Sequence, residues 1–248
     1  MSEPRLRDTW LVRKHELSVL GILYATFTAT WFAVGWALTH PLKNSWIVHT
    51  DQSIARWFVD RRTPTMNSLT SIGSMMADSM VKIIVTVVVA IVMLIVWKRW
   101  LEPLMVVIPL ILEALTFITV TTLVGRHRPN VPRLETSAVG SSFPSGHMGA
   151  AVVYSGIIVV VFWHTRRYWI RAIAAAVGAL IPLCVGFSRI YRGMHYTTDV
   201  VFGALLGGAA VISTFMILRH AAVEYPEAVS SAEHPVDLDL APAGSSVR

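Results

Sequence analysis

The chain has 248 residues, 54% hydrophobic and 15% charged, whereas an average soluble domain carries roughly 25% charged residues; an ordinary water-soluble domain is therefore excluded. Lys and Arg number 21 against 15 Asp and Glu, a net charge of +6, which in so apolar a chain points to anionic lipid or an anionic substrate and not to nucleic acid. The single cysteine, Cys184, excludes an intrachain disulfide.

Residues 1–17 are polar and basic, with Arg5, Arg7, Arg13 and Lys14, and the first apolar block runs from Ser18 to Leu38. The block is longer than a signal-peptide core and ends in Trp36-Ala37-Leu38 without a small-x-small cleavage site, so it reads as a retained helix. Between this block and the next, Ile54, Trp57 and Phe58 recur at i, i+3, i+4 among Asp51, Arg56, Asp60, Arg61 and Arg62, the pattern of a short interfacial helix or of an ordinary loop helix. Five further apolar blocks follow, at 81–97, 103–125, 148–163, 172–187 and 200–218. Blocks of this kind, almost free of charge and close to the roughly 20 residues that cross a bilayer, predict transmembrane helices. The expected fold is all-α: a polytopic six-transmembrane-helix bundle with an interfacial helix between spans 1 and 2.

Beyond Ala221 the pattern stops, and Glu224, Glu227, Glu233, Asp237 and Asp239 alternate with Pro226, Pro235 and Pro242. Residues 221–248 read as a disordered acidic tail with one basic against five acidic residues, −4. The body, a segment 1–17 followed by a membrane domain 18–220, then carries 20 basic against 10 acidic residues, +10.

Six spans put both termini on one side. Lys98 and Arg99, and Arg166, Arg167 and Arg171, fall in short connections on that side with the basic N-terminus, which the positive-inside rule makes cytoplasmic. The count is 11 Lys/Arg against 10, and becomes 11 against 6 when Arg126, Arg128, Arg189 and Arg192 are reserved for a substrate. The expected location is the plasma membrane, multi-pass, with both termini cytoplasmic. Gly203 and Gly207 in the last block have the small-xxx-small spacing of a close helix contact.

Three polar clusters fall at span ends, and parity puts all of them at the non-cytoplasmic face. Gly125-Arg126-His127-Arg128-Pro129 closes span 3, where an arginine pair serves either a phosphate or lipid headgroups. Phe143-Pro144-Ser145-Gly146-His147 opens span 4; the helix start and Ser145 suit an anion, Ser145 is equally a helix cap, and His147 is either a general acid or a polar interface residue. Ser188-Arg189, then His195 and Asp199, bracket the turn between spans 5 and 6. His195 and Asp199 at i and i+4 share a helix face, which fits an oriented nucleophile, half a metal site, or a structural hydrogen bond.

These clusters resemble the signature of the type 2 phosphatidic acid phosphatase family, lipid phosphate phosphatases that share their site with vanadium haloperoxidases: Lys-x6-Arg-Pro, Pro-Ser-Gly-His, and Ser-Arg-x5-His-x3-Asp. Pro144-Ser145-Gly146-His147 and Ser188-Arg189…His195…Asp199 are complete, while the first motif keeps Arg128-Pro129 but has Thr121 where the family has lysine. The resemblance implies that His195 attacks phosphorus with Asp199 orienting its ring, and that His147 protonates the leaving oxygen and then activates water. Arg128, Arg189, Ser145 and the Gly146 N–H would hold the phosphoryl oxygens. Arg126 is either the replacement cation for the lost lysine or a solvent-facing residue beside a site with fewer cations, with Thr121 contributing at most a hydroxyl. The implied activity is metal-independent, cofactor-free hydrolysis of a lipid phosphate or diphosphate through a phosphohistidine, sensitive to vanadate. Polyprenyl diphosphate, phosphatidate and phosphatidylglycerol phosphate all fit. The competing readings are a lipid phosphotransferase, an anion transporter, and a non-catalytic lipid-binding protein. Glu113, about 12 Å along the helix from Thr121, is expected to have a packing role.

Overall fold

The computed structural model describes residues 14–137 and 139–224, so the N-terminal segment up to residue 13 and the acidic tail beyond 224 lie outside the described residues. All regular structure among the described residues is helical, and six helical stretches are long and apolar enough to cross a membrane: His15–Thr39, Ser79–Trp97, Leu101–Val124, Gly146–His164, Tyr168–Tyr191 and Thr197–Ala221. The chain is a multi-pass membrane protein.

Helix α1 (Lys14–Thr39) leads to α2 (Trp46–Val59) and α3 (Pro64–Met75), so the connection between the first two spans holds two helices where the sequence pattern suggested one. Thr63 and Pro64 explain the break. The Thr63 hydroxyl accepts from the Met66 N–H, and proline at the first helical position restarts the helix. The inward face of α2 also differs from the expected Ile54/Trp57/Phe58 stripe: Asp51 and Ala55 are buried while Trp57 is exposed beneath Arg61. Phe58 meets Phe187 and Tyr191 edge-on.

Helix α4 (Ser79–Trp97) is apolar on all sides and exposes Ile84, Val88, Ile91 and Ile95, as a helix facing acyl chains must. It packs on α5 (Leu101–Val124), which together with α9 (Thr197–Glu224) forms the centre of the bundle. Phe27 and Trp31 of α1, Leu112 and Val120 of α5, Leu206 and Ala210 of α9, and Phe143 form one core cluster. The Trp31 indole N–H donates to the Phe202 carbonyl at 2.9 Å, satisfying the polar atom that burying tryptophan brings inside.

The fourth span is two helices, α6 (Gly146–Val153) and α7 (Gly156–His164), with a turn at Tyr154-Ser155. The fifth is α8 (Tyr168–Tyr191). Gly203 and Gly207 sit against the carbonyls of Ser145 and Gly149, where a Cβ would collide with backbone. The small-xxx-small spacing thus seats α9 directly on α6. Glu113 is fully buried against Gly149, with neither carboxylate oxygen in a hydrogen bond, consistent with packing.

Candidate active site

Five elements end at one face of the bundle. Helix α5 stops at Gly125, whose φ of 61° is a left-handed conformation that favours glycine, and the chain turns into the loop carrying Arg126 and Arg128. Helix α8 stops at Tyr191, and Gly193 at φ 73° makes the turn that returns the chain through His195 to α9. The starts of α4 and α6 complete the ring. Together they line a cavity of about 800 Å³ that includes Lys82, Phe117, Arg128, His147, Arg189 and His195.

The loop between α5 and α6 is laced to the third motif. The Ser142 N–H donates to the Arg126 carbonyl at 2.8 Å, and the Ser145 N–H to the Asp199 carbonyl at 3.0 Å. The Ser142 carbonyl lies 2.7 Å from His195 Nδ1. A ring nitrogen facing a carbonyl carries the proton, which leaves Nε2 with its lone pair. Burial first, and then the charges of Arg189 and Arg128, hold the His195 pKa well below 6.5.

Asp199 does not hold that ring in a hydrogen bond. Its Oδ2 is 3.8 Å from Nδ1 and instead accepts the Tyr196 N–H at 2.9 Å, the return half of a capping box at the start of α9. Its Oδ1 takes Arg126 at 2.5 Å. Arg126 is likewise not among the residues lining the cavity: its other Nη reaches Asp51 at 3.0 Å, and its guanidinium covers the Tyr196 ring at 4.4 Å. Two buried carboxylates draw it into the protein, so the candidate replacement cation is directed away from the cavity. Thr121 is also buried outside the lining, its hydroxyl unpartnered; Phe117, one turn earlier on α5, takes the cavity-facing position.

Arg128 is held by neutral oxygens alone, the Met194 carbonyl at 2.5 Å, the Ser137 hydroxyl at 2.8 Å and the Val139 carbonyl at 3.1 Å. Burial and then the nearby Arg189 lower its pKa to about 10, so it stays charged at neutral pH. Arg189 donates to Ser74 at 2.6 Å and to Glu135 at 2.5 Å, and Glu135 also takes Arg192 at 2.5 Å. The Nε of Arg128 and the Nε of Arg189, both lining residues, are buried with no hydrogen-bond partner among the described residues; the Ser145 hydroxyl is likewise unpartnered, but Ser145 lies outside the lining and its neighbour Gly146 within it. Unmade donors of this kind are costly unless an acceptor visits.

Ser142, Glu135, Asp51 and Lys82 were not legible as site residues. Ser142 acts through a carbonyl, which carries no side-chain signal, and Glu135 and Asp51 lie far in sequence from their partners. Lys82 did leave a trace, as the one charged residue in the apolar block 81–97.

The depressed His195 pKa has a stability consequence. Above pH 6.5 the ring is neutral folded or unfolded and contributes nothing. Below it, the unfolded chain takes up a proton that the folded chain refuses, so stability falls as pH drops from about 6.5 towards the folded pKa. Ring 15N NMR is expected to show His195 as the neutral Nδ1–H tautomer from pH 6 to 8; a midpoint at or above 6.5 would contradict the geometry.

Among curated proteins, the chain is 34% identical over 88 residues to the bacitracin transport permease protein BcrC of Bacillus licheniformis, covering 35% of this chain and 38% of that protein. It is 36% identical over 74 residues to an undecaprenyl-diphosphatase of Sulfolobus acidocaldarius, covering 30% of this chain and 32% of that one. The chain thus spans about a third of the length of these relatives. The crystal structure of a transmembrane PAP2 type phosphatidylglycerolphosphate phosphatase from Bacillus subtilis superposes with a TM-score of 0.67 at 23% identity, covering 79% of this chain and 96% of that one, which establishes the shared fold. Residues 102–221, which hold all three polar clusters, match the family model of the PAP2 superfamily.

Proposed function

We propose that the protein hydrolyses a lipid phosphate or diphosphate without a metal, through a phosphohistidine formed on His195. The observation that carries this reading is an imidazole anchored through Nδ1 to a carbonyl, beside two arginines whose buried Nε–H groups have no partner among the described residues. Phosphoryl transfer needs little more from a protein than positioning and positive charge.

In this mechanism the phosphoryl oxygens take the Nε–H donors of Arg128 and Arg189 and the Gly146 N–H, with the Ser145 hydroxyl directly behind the lining. Nε2 of His195 attacks phosphorus, the P–N bond forms, and the P–O bond to the lipid breaks. His147 gives its proton to the departing oxygen. The cavity is cationic, so His147 is expected to hold that proton only with the anionic substrate bound. Water then loses a proton to His147 and attacks phosphorus; the P–N bond breaks and inorganic phosphate leaves. Asp199 serves at one remove, by fixing Tyr196 and the start of α9 so that His195 meets Ser142.

The site lies where five elements end at one membrane face, beside the lipid-facing α4. An amphiphile can present its headgroup there while its chains stay in the bilayer, which favours lipid phosphates over soluble ones. With the termini cytoplasmic, that face is the outer one. The test is release of phosphate from micellar polyprenyl diphosphate, phosphatidate and phosphatidylglycerol phosphate by the purified protein. Because the positive field comes from arginines, activity is expected to persist in excess EDTA and to be inhibited by vanadate. Activity abolished by EDTA and restored by Mg2+ would refute the metal-free mechanism.

The name of the Bacillus licheniformis relative raises transport as a second reading. A transport site belongs near the bilayer midplane between broken helices, whereas the arginines here sit at helix ends.

A further inference from the structure

Lys82 is the fourth residue of α4, in its first turn, and lines the same cavity as Arg128, His147, Arg189 and His195. It comes from the lipid-facing side of the site, on a helix that is otherwise without charge. An ionisable residue in a membrane span is retained for a reason. Its backbone N–H donates to the Asp78 carbonyl at 2.8 Å as part of the helix, and among the described residues no hydrogen bond or ion pair involves its ammonium. Two carboxylates line the cavity with it: Asp78 caps α4 through the Ser79 N–H at 2.6 Å, and Glu135 is shared between Arg189 and Arg192. Lys82 is within electrostatic range of both His147 and Glu113.

We infer that Lys82 is a phosphate-binding residue, placing its ammonium on the phosphoryl oxygens from the α4 side of the cavity. It supplies the cation that Thr121 on α5 lacks. Arg126 is unable to do so, committed as it is to Asp51 and Asp199. Neighbouring α4, packed on α5, delivers the charge across the helix interface. Lysine suits this place because a long apolar stem can lie along the acyl-chain boundary while the ammonium reaches the polar end. The inference rests on the hydrolase reading above, and its test separates the two.

The experiment compares wild type, Lys82→Met, Lys82→Arg and His195→Ala, each purified as the full chain. Lys82→Met keeps length and apolarity and removes only the charge. Its kcat/KM on the best lipid phosphate is expected to fall about 100-fold, the scale of losing one donor to a phosphoryl transition state, and the vanadate inhibition constant to rise. Lys82→Arg is expected to stay within about tenfold of wild type, because it keeps the charge. Lys82→Met within twofold of wild type, with His195→Ala inactive, overturns the inference and leaves the hydrolase reading standing. If wild type hydrolyses nothing, the hydrolase reading fails, and thermal stabilisation by inorganic phosphate decides the Lys82 assignment. Stabilisation of wild type that is lost in Lys82→Met supports it; equal shifts, or none in either, refute it.

Discussion

Replacing His195 with alanine is expected to abolish lipid phosphate hydrolysis, lowering kcat/KM by at least about 10⁴-fold, because loss of a covalent nucleophile leaves only what binding and electrostatics provide. The folded state should tolerate the change. His195 is buried, and its one strong hydrogen bond is to the Ser142 carbonyl, a group that can turn to water entering the emptied space. Expected, then, is an inert but monodisperse protein that still binds vanadate weakly through the arginines. A denaturing alkaline quench of wild type during turnover of a 32P-labelled substrate should trap an acid-labile, alkali-stable phosphoprotein, absent from the variant. Residual turnover above a hundredth of wild type would show that another group attacks phosphorus.

Arg126→Ala is expected to act mainly on stability. The guanidinium is buried between Asp199 at 2.5 Å and Asp51 at 3.0 Å, and also donates to the Thr198 hydroxyl at 2.7 Å. Removing the cation leaves two carboxylates buried without compensation, a change that costs about 3–5 kcal/mol. In a domain of this size that is a fall in melting temperature of roughly 6–20 °C. Activity falls with it, since Asp199 and Thr198 form the start of the helix that follows His195. The compensating change discriminates between stability and catalysis: Arg126→Ala combined with Asp51→Asn removes one orphaned charge and is expected to regain part of the lost stability. A single variant that melts within 1 °C of wild type, as followed by intrinsic fluorescence, would contradict the buried network. One that melts normally but no longer binds vanadate would instead return Arg126 to the phosphate site.

Arg126 and Lys82 lie differently in the fold from what their places on the chain suggest. On the chain, Arg126 stands two residues from Arg128 and is a candidate partner for it at the substrate, whereas Lys82 is a lone charge at the edge of an apolar block. The fold turns Arg126 inward, because Asp51, 75 residues away, arrives on α2 beside it, and it brings α4 against α5 so that Lys82 enters the cavity. Neither arrangement leaves a local signal.

Asp199 shows the same limit at shorter range. The i, i+4 spacing with His195 holds only if both residues are in one helix, and α9 begins at Thr197, after His195. The carboxylate therefore turns back to its own helix start, and a carbonyl from the preceding loop takes over the imidazole. The second interfacial helix escaped for a related reason: Thr63-Pro64 is a legible restart, but the segment after it is short and only weakly patterned.

What the sequence determined by itself was everything set by hydrophobic length and by contiguous motif. Six apolar blocks dictate six spans because each must satisfy its backbone within itself once water is gone, and alternation of spans then brings the three motifs to one face. The glycines at 203 and 207 likewise announced a close helix contact, and the packing made α6 the partner. What only the tertiary structure decided was the partner of each buried charge. In a low-dielectric interior a guanidinium or carboxylate goes to whichever opposite charge or carbonyl the packing of distant helices delivers within reach, and spacing along one chain segment does not contain that information.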